Sequence, residues 1–146
     1  MYLYGASGHA KVIIDSLKAS GKQISGIFDD NPNVEQLLDF KVFGPFDSTR
    51  LGNEELIISI GLNNIRKKIV ENLPETIRYG KAMHPSAIIS EYANLGFGTV
   101  VMQGAVIQSS VSIGRHCIIN TTASVDHDCI IEDYVHISPN ATLCGA

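Results

Sequence analysis

The sequence predicts two joined parts: a small α/β unit with a parallel sheet over residues 1–83, then a three-sided parallel β-solenoid over residues 84–146. Three observations predict it. Short apolar runs alternate with helix-spaced stretches in the first part. The composition and its periodicity change between Lys81 and Pro85. From Ile89 onward a large aliphatic residue returns every six positions without a slip.

Tyr2 to Tyr4 is a brief strand, and His9 to Ala19 sets Val12, Ile13, Ser16 and Leu17 at helical spacing. Gln23 to Phe28 is a second strand and Leu56 to Ile60 a buried one. Between them Phe40 to Arg50 is irregular, broken by Gly44 and Pro45, with room for one strand. Asn63 to Leu73 carries Ile65, Ile69, Val70 and Leu73 on one helical face, while Arg66 and the lysines after it form a solvated face. Thr76 to Tyr79 is a last short strand. Strand–helix–strand order with short connections implies a parallel sheet covered by helices. His84-Pro85 marks the hinge, since a proline holds its predecessor extended.

The repeat comprises Ile89, Leu95, Val101, Ile107, Ile113, Ile119, Val125, Ile131, Ile137 and Leu143. Four residues after most of these stands a small or medium residue, such as Ala93, Thr99, Cys117, Cys129 or Ala141. A strand repeats every two residues and a helix about every 3.6, so neither explains a strict six. A triangular solenoid does. Each hexad forms one side, and the large aliphatic points inward and stacks on its counterpart one coil away. The repeat stops mid-unit at Leu143-Cys144-Gly145-Ala146. An open solenoid end exposes apolar surface and unpaired edges, so the chain is expected to be truncated there. Cover by another subunit is the weaker alternative.

Composition narrows the function. Hydrophobic residues make up 45% and charged ones 18%, which excludes intrinsic disorder. The formal charge of -4, from 11 basic and 15 acidic residues in no block, leaves no footprint for nucleic acid or an anionic membrane. No apolar run reaches the roughly 20 residues that span a bilayer. The N-terminus lacks the basic region and cleavage site of a signal peptide. Three cysteines without an export signal point to the reducing cytoplasm.

Gly5-Ala6-Ser7-Gly8-His9-Ala10-Lys11 follows the first strand and opens the first helix, where free backbone N–H groups can cradle a phosphate. A tight strand–helix turn explains the loop equally well. Asp29 and Asp30 end the second strand, where a carboxylate can accept bonds from a ribose or a base, and they favour the nucleotide reading. An Asp-Asp-Asn-Pro turn is the competing role. Gly61 permits close ligand approach at the end of the buried strand, and Asn63 is foremost a helix N-cap. Val125-Asp126-His127-Asp128-Cys129 puts a histidine between two aspartates on an outward position of the repeat. A neighbouring carboxylate can orient the imidazole and raise its pKa, as a general base needs. His84, His116, His127, His136 and the cysteines show no compact metal-ligand spacing, so no metal is expected.

The hexads resemble the left-handed parallel β-helix of the hexapeptide-repeat acyltransferases. Gly5 to His9, Phe28-Asp29-Asp30 and Ile60-Gly61-Leu62-Asn63-Asn64 look like the Rossmann-like N-terminal domain of one bacterial sugar acetyltransferase family. Asn120 to Cys129 is similar to its catalytic segment. That family includes UDP-4-amino-sugar N-acetyltransferases and sialic acid O-acetyltransferase-like proteins. The resemblance implies that His127 is the base, supported by Asp128, and that acetyl-CoA is the cosubstrate. It places Asn120 and His136 on the acetyl-CoA side. The nucleotide-sugar would lie against Gly5, Ser7, Gly8 and His9, with Asp29, Asp30, Gly61 and Asn63 beside it. It implies a homotrimer with active sites between neighbouring solenoids.

The function expected is acetyl transfer to the amino group of a UDP-linked 4-amino-sugar. O-acetylation of sialic acid or another sugar hydroxyl is the close alternative. A non-catalytic nucleotide-sugar-binding or trimerisation module is the alternative of another class. An NAD-linked oxidoreductase rests on the glycine loop alone and leaves the hexads unexplained.

Overall fold

The computed structural model describes residues 1–145. Strand β1 (Tyr2–Tyr4) is fully buried, and Gly5 turns the chain at φ +113°, where a side chain would also strike Ile60. Helix α1 (Gly8–Ala19) buries Ala10, Ile13, Ile14, Ser16 and Leu17. Then come β2 (Gly26–Phe28), the hairpin of β3 (Gln36–Leu37) and β4 (Phe40–Lys41), α2 (Ser48–Leu51), β5 (Leu56–Ile58) and α3 (Asn63–Asn72). β1 lies between β2 and β5, parallel to both. The loops after all three strands therefore leave from one edge, the place where open parallel sheets collect ligands.

Several short elements differ from expectation. Phe40 to Arg50 holds both β4 and the one-turn α2, which Asp47 caps by accepting the Thr49 and Arg50 N–H groups. Thr76 to Tyr79 is no strand, and Tyr79 makes an isolated bridge to Leu56. Ile65 is 40% exposed, whereas Arg66, expected in solvent, is 1% exposed. The inward face of α3 is Arg66, Ile69, Val70 and Leu73, one helical stripe that leaves Ile65 at its side.

The solenoid is built from β6 (Ala82–Met83), β7 (Ile88–Ile89), β8 (Asn94–Leu95), β9 (Val100–Val101), β10 (Val106–Ile107) and β11 (Ser112–Ile113). It continues through β12 (Ile118–Ile119), β13 (Ser124–Val125), β14 (Ile130–Ile131), β15 (His136–Ile137) and β16 (Thr142–Leu143). These strands stack into three parallel sheets, β7-β10-β13-β16, β8-β11-β14 and β6-β9-β12-β15. Register joins residues one coil apart, as in Ile107 with Val125 and Ile119 with Ile137. The aliphatic repeat fills the interior together with Ala105, Val111, Cys117 and Ala123. Met83 extends the repeat one unit earlier, pairing with Val101.

From β8 onward each corner is turned by one residue in the left-handed region: Gly98, Gly104, Ser110, His116, Thr122, Asp128, Tyr134 and Asn140. Six of the eight carry side chains, so the fold accepts strain of about 1 kcal/mol or more at each.

The outer face of the β6-β9-β12-β15 sheet is apolar. Ala82, Val100, Ile118 and Met102 pack against Ala10, Ile13, Ile14 and Leu17, so the two parts share a core. His136 is the next residue in the column of Ala82, Val100 and Ile118. Among the described residues no helix is long and apolar enough to cross a membrane.

Candidate functional site

The expected site residues fall into two groups. The first gathers where the loops of the α/β part meet the solenoid. His136 continues its apolar column past Ile118 and comes level with the first turn of α1, its ring centre 6.3 Å from that of His9. Asn120, from the adjoining corner, places Nδ2 at 2.9 Å from His136 Nε2. The Asn120 Oδ1 accepts the Thr121 N–H at 2.8 Å, which orients the amide so that Nδ2 donates. His136 Nε2 is therefore an acceptor and Nδ1 carries the proton. Burial lowers the His136 pKa, and the Gly61 carbonyl partly offsets this.

His9 stands over Gly61, where an added methyl would lie 3.8 Å from the imidazole. Its Nε2 is buried without a hydrogen-bond partner. Burial, His136 and Arg66 together push the His9 pKa down to about 4, so the ring is neutral near pH 7. Ser7 occupies the N-cap position of α1, yet its hydroxyl makes no capping bond and is exposed. Gly8 has open space where a side chain would be.

Asp29 and Asp30 serve the loop differently. The Ala6 N–H donates to Asp29 Oδ2 at 2.6 Å and the Asn31 N–H to Oδ1 at 2.8 Å, so Asp29 ties the glycine loop to β2. Asp30 is exposed and accepts the Tyr4 hydroxyl on both oxygens at 2.8 Å. Asn63 is not the N-cap of α3; Leu62 holds that position. Asn63 Oδ1 instead accepts from Arg66 at 2.9 Å. Helical spacing alone could have revealed Arg66, because it stands three, four and seven residues before Ile69, Val70 and Leu73.

The second group is His127 and Asp128, at the corner between β13 and β14. That corner lies opposite the sheet that carries His136, so one chain does not bring His127 to the loops. His127 Nδ1 is 2.8 Å from Asp128 Oδ2, and its backbone N–H donates to Asp126 Oδ1 at 2.8 Å. A carboxylate only accepts, so Nδ1 holds the proton and Nε2 keeps a free lone pair. The hydrogen bond to Asp128, and then the charge of Asp126, raise the His127 pKa. Gly145 lies over the ring, and a methyl there would come within 2.8 Å of Nε2.

Residues 1–73 match the family described as the PglD N-terminal domain. The UDP-N-acetylbacillosamine N-acetyltransferase of Bacillus subtilis (strain 168) is 40% identical over 119 residues, covering 68% of this chain and 50% of that protein. The structure of PerB from Caulobacter crescentus, in complex with CoA and GDP-perosamine, superposes with a TM-score of 0.91 at 36% identity, covering 99% of this chain and 70% of that one. The acetyltransferase domain of PglB from Neisseria gonorrhoeae FA1090, in complex with acetyl coenzyme A, superposes with a TM-score of 0.86 at 33% identity, covering 99% and 72%. The chain spans between 23% and 50% of the length of three curated relatives it matches.

Proposed function

From the premise that this chain belongs to the PglD N-terminal domain family, we propose that it transfers an acetyl group from acetyl-CoA to the amine of a nucleotide-linked amino-sugar. The observation that carries the reading is the His127–Asp128 pair, which leaves Nε2 unprotonated and free. Acetyl-CoA supplies the activated thioester. As the sugar amine attacks the thioester carbon, His127 takes its proton at Nε2, and Asp128 stabilises the imidazolium that results. The amide bond forms, the carbon–sulfur bond breaks, and the CoA thiolate leaves.

We assign the sugar-nucleotide to the loop of Gly5, Ser7, Gly8 and His9. The exposed carboxylate of Asp30 is the group free to meet a base or ribose, while Asp29 braces the loop from beneath. Gly61 and Asn63 bound the same edge, and Asn120 with His136 faces the acetyl-CoA side. The nucleotide is assigned as UDP, the nucleotide in the name of the Bacillus relative, and the sugar as a 4-amino-sugar. Because His127 lies across the solenoid from the loops, the reading needs His127 of a neighbouring copy, as a homotrimer of left-handed solenoids would supply. The α/β part then acts as a Rossmann-like nucleotide domain. The three unpaired cysteines suit an enzyme of the cytoplasm.

A non-catalytic nucleotide-sugar binder is the second reading, favoured by the separation of His127 from the loops within one chain. Titration calorimetry with UDP and GDP, paired with an assay of CoA thiol release, separates the two. Binding with turnover supports the transferase, binding without turnover the binder. Failure of both nucleotides to bind a folded sample removes the nucleotide assignment.

A further inference from the structure

We propose that Leu62 and Ile65 of one copy form the seat for Ile130 of a neighbouring copy, an apolar contact that brings the neighbour's His127 to the Gly61 loop. The contact rests on the proposed function in one respect, that His127 has to reach those loops from another chain. Leu62, the N-cap residue of α3, is 68% exposed, and Ile65, three residues on along the same helix face, is 40% exposed. They follow directly on Gly61, over which His9 stands. α3 buries a different stripe, that of Arg66, Ile69, Val70 and Leu73. Packing within the chain therefore accounts for neither side chain.

Ile130 is their counterpart on the solenoid. At 80% it is the most exposed large apolar side chain among the described residues. Its column on the outer face of β8-β11-β14 reads Asn94, Ser112, Ile130. The face is polar up to the level of His127, and there it turns apolar. Ile130 stands two residues past Asp128, so a surface that covers it also covers the His127 corner.

Height decides which surfaces can meet. Residues eighteen apart, such as Ser112 and Ile130, pair across one coil, and a coil climbs only about 4.8 Å. His127, Ile130 and His136 fall within half a coil, and His136 is level with His9. Copies related by rotation about an axis parallel to the solenoid keep their heights. A neighbour's Ile130 and His127 thus arrive at the level of His9 and the Gly61 loop. Two different patches that meet make a head-to-tail contact, which closes into a ring. Charge agrees with the pairing: exposed Lys68 continues the stripe of Leu62 and Ile65, while Asp126 and Asp128 stand beside Ile130.

Sedimentation velocity of the full chain tests the contact without substrate. The unaltered chain should run as a closed assembly. Leu62→Asp and Ile130→Lys should each raise its dissociation constant at least about tenfold, since each sets a charge into an apolar contact. Aspartate is a good N-cap and position 130 lies on an outer face, so both variants should fold. Combining Leu62→Asp with Ile130→Lys should restore association, because opposite charges then face each other at every contact of the ring. Leu38→Asp is the control, on the hairpin whose Asp39 pairs with Lys18 near the far end of α1, and it should change nothing. Association untouched by both single changes overturns the proposal, and so does a combined variant that dissociates as readily as the singles. A monomeric unaltered chain, or equal dissociation by Leu38→Asp, overturns it as well. Assembly that responds as expected without CoA release would count against the transferase alone.

Discussion

His116 and His127 both stand at corners of one solenoid, built on the same six-residue period, yet their environments are opposite. His116 is 1% exposed, with Tyr79 edge-on at 4.5 Å and Tyr134 stacked at 5.4 Å, and neither ring nitrogen has a partner. Burial, then the charges of Arg115 and Arg66, push its pKa down to about 4. The His127 side chain is 55% exposed, and Asp128 pulls its pKa upward. The repeat sets where the backbone turns. Whatever covers the corner sets the chemistry: α3 and Tyr79 close the first, while among the described residues it is Gly145 that lies over the second.

The strongest test of this contrast is removal of each ring's function. In an assembly that turns over, His127→Ala should lose about 10²- to 10⁴-fold in the rate of CoA release, the usual worth of a general base. Its melting temperature should not move, because the ring is exposed and pairs with its own neighbour. Near-normal turnover would remove His127 from the mechanism. A large loss of stability would show that the open corner is structural after all.

Glycine replacements at two corners probe the cover instead of the chemistry. Gly98 lies one coil before His116, and a methyl there would meet His116 Nδ1 at 2.2 Å with φ at +72°. Overpacking and left-handed strain together predict that Gly98→Ala costs about 2–4 kcal/mol. Gly104 has nearly the same backbone, φ +66°, but a methyl would meet Thr122 Cγ2 at 3.2 Å and nothing closer. Gly104→Ala should cost about 1–2 kcal/mol, the strain alone. Equal losses in chemical denaturation would mean that the aromatic cage yields easily.

How far the sequence shows this contrast depends on the range of the contacts involved. The solenoid interior is legible because each coil repeats the environment of the last, down to inward Cys117. Met83 escapes because it sits at the first strand, 38% exposed. His9 and Gly61 can be named from local motifs, and Asn120 and His136 from the resemblance to the acetyltransferase family. Their meeting depends on a column one coil apart, Ala82, Val100, Ile118 and then His136, where three apolar outward residues announce a covered face. Arg66 is hidden by its charge, since charged residues on helices usually face water. Asn63 reads as a cap for the same reason: the bond it makes instead goes to a side chain whose burial depends on a solenoid corner 50 and 68 residues away.

Titration sharpens the contrast further. His116 and His9 both have folded pKa values of about 4, below the unfolded value near 6.5. The unfolded chain therefore binds more protons between those limits. Stability is full above about pH 6.5 and falls as the pH drops toward 4, by up to about 1.4 kcal/mol per unit for each ring. Denaturant midpoints measured across this window should show the slope. His116→Asn, a residue that tolerates the left-handed corner, should reduce it by about half while lowering stability at every pH. An unchanged slope would assign the acid sensitivity elsewhere.

The smallest effect is expected at the open corner. His127 is raised, so its sign is reversed: any stability it gives is present below its unfolded pKa and lost as the pH climbs through the folded one. Because both side chains are more than half exposed to water and salt, the pair's contribution should vanish against the slope from the buried rings. Asp128→Asn removes the charge yet suits φ +62° as well as aspartate does. It should lower the His127 titration seen by proton spectra and leave the melting temperature unchanged. The rate should fall less than in His127→Ala, since the base remains but its imidazolium loses the carboxylate. If the titration held steady, Asp126 alone would account for the raised pKa, and the tautomer at His127 would no longer follow from Asp128.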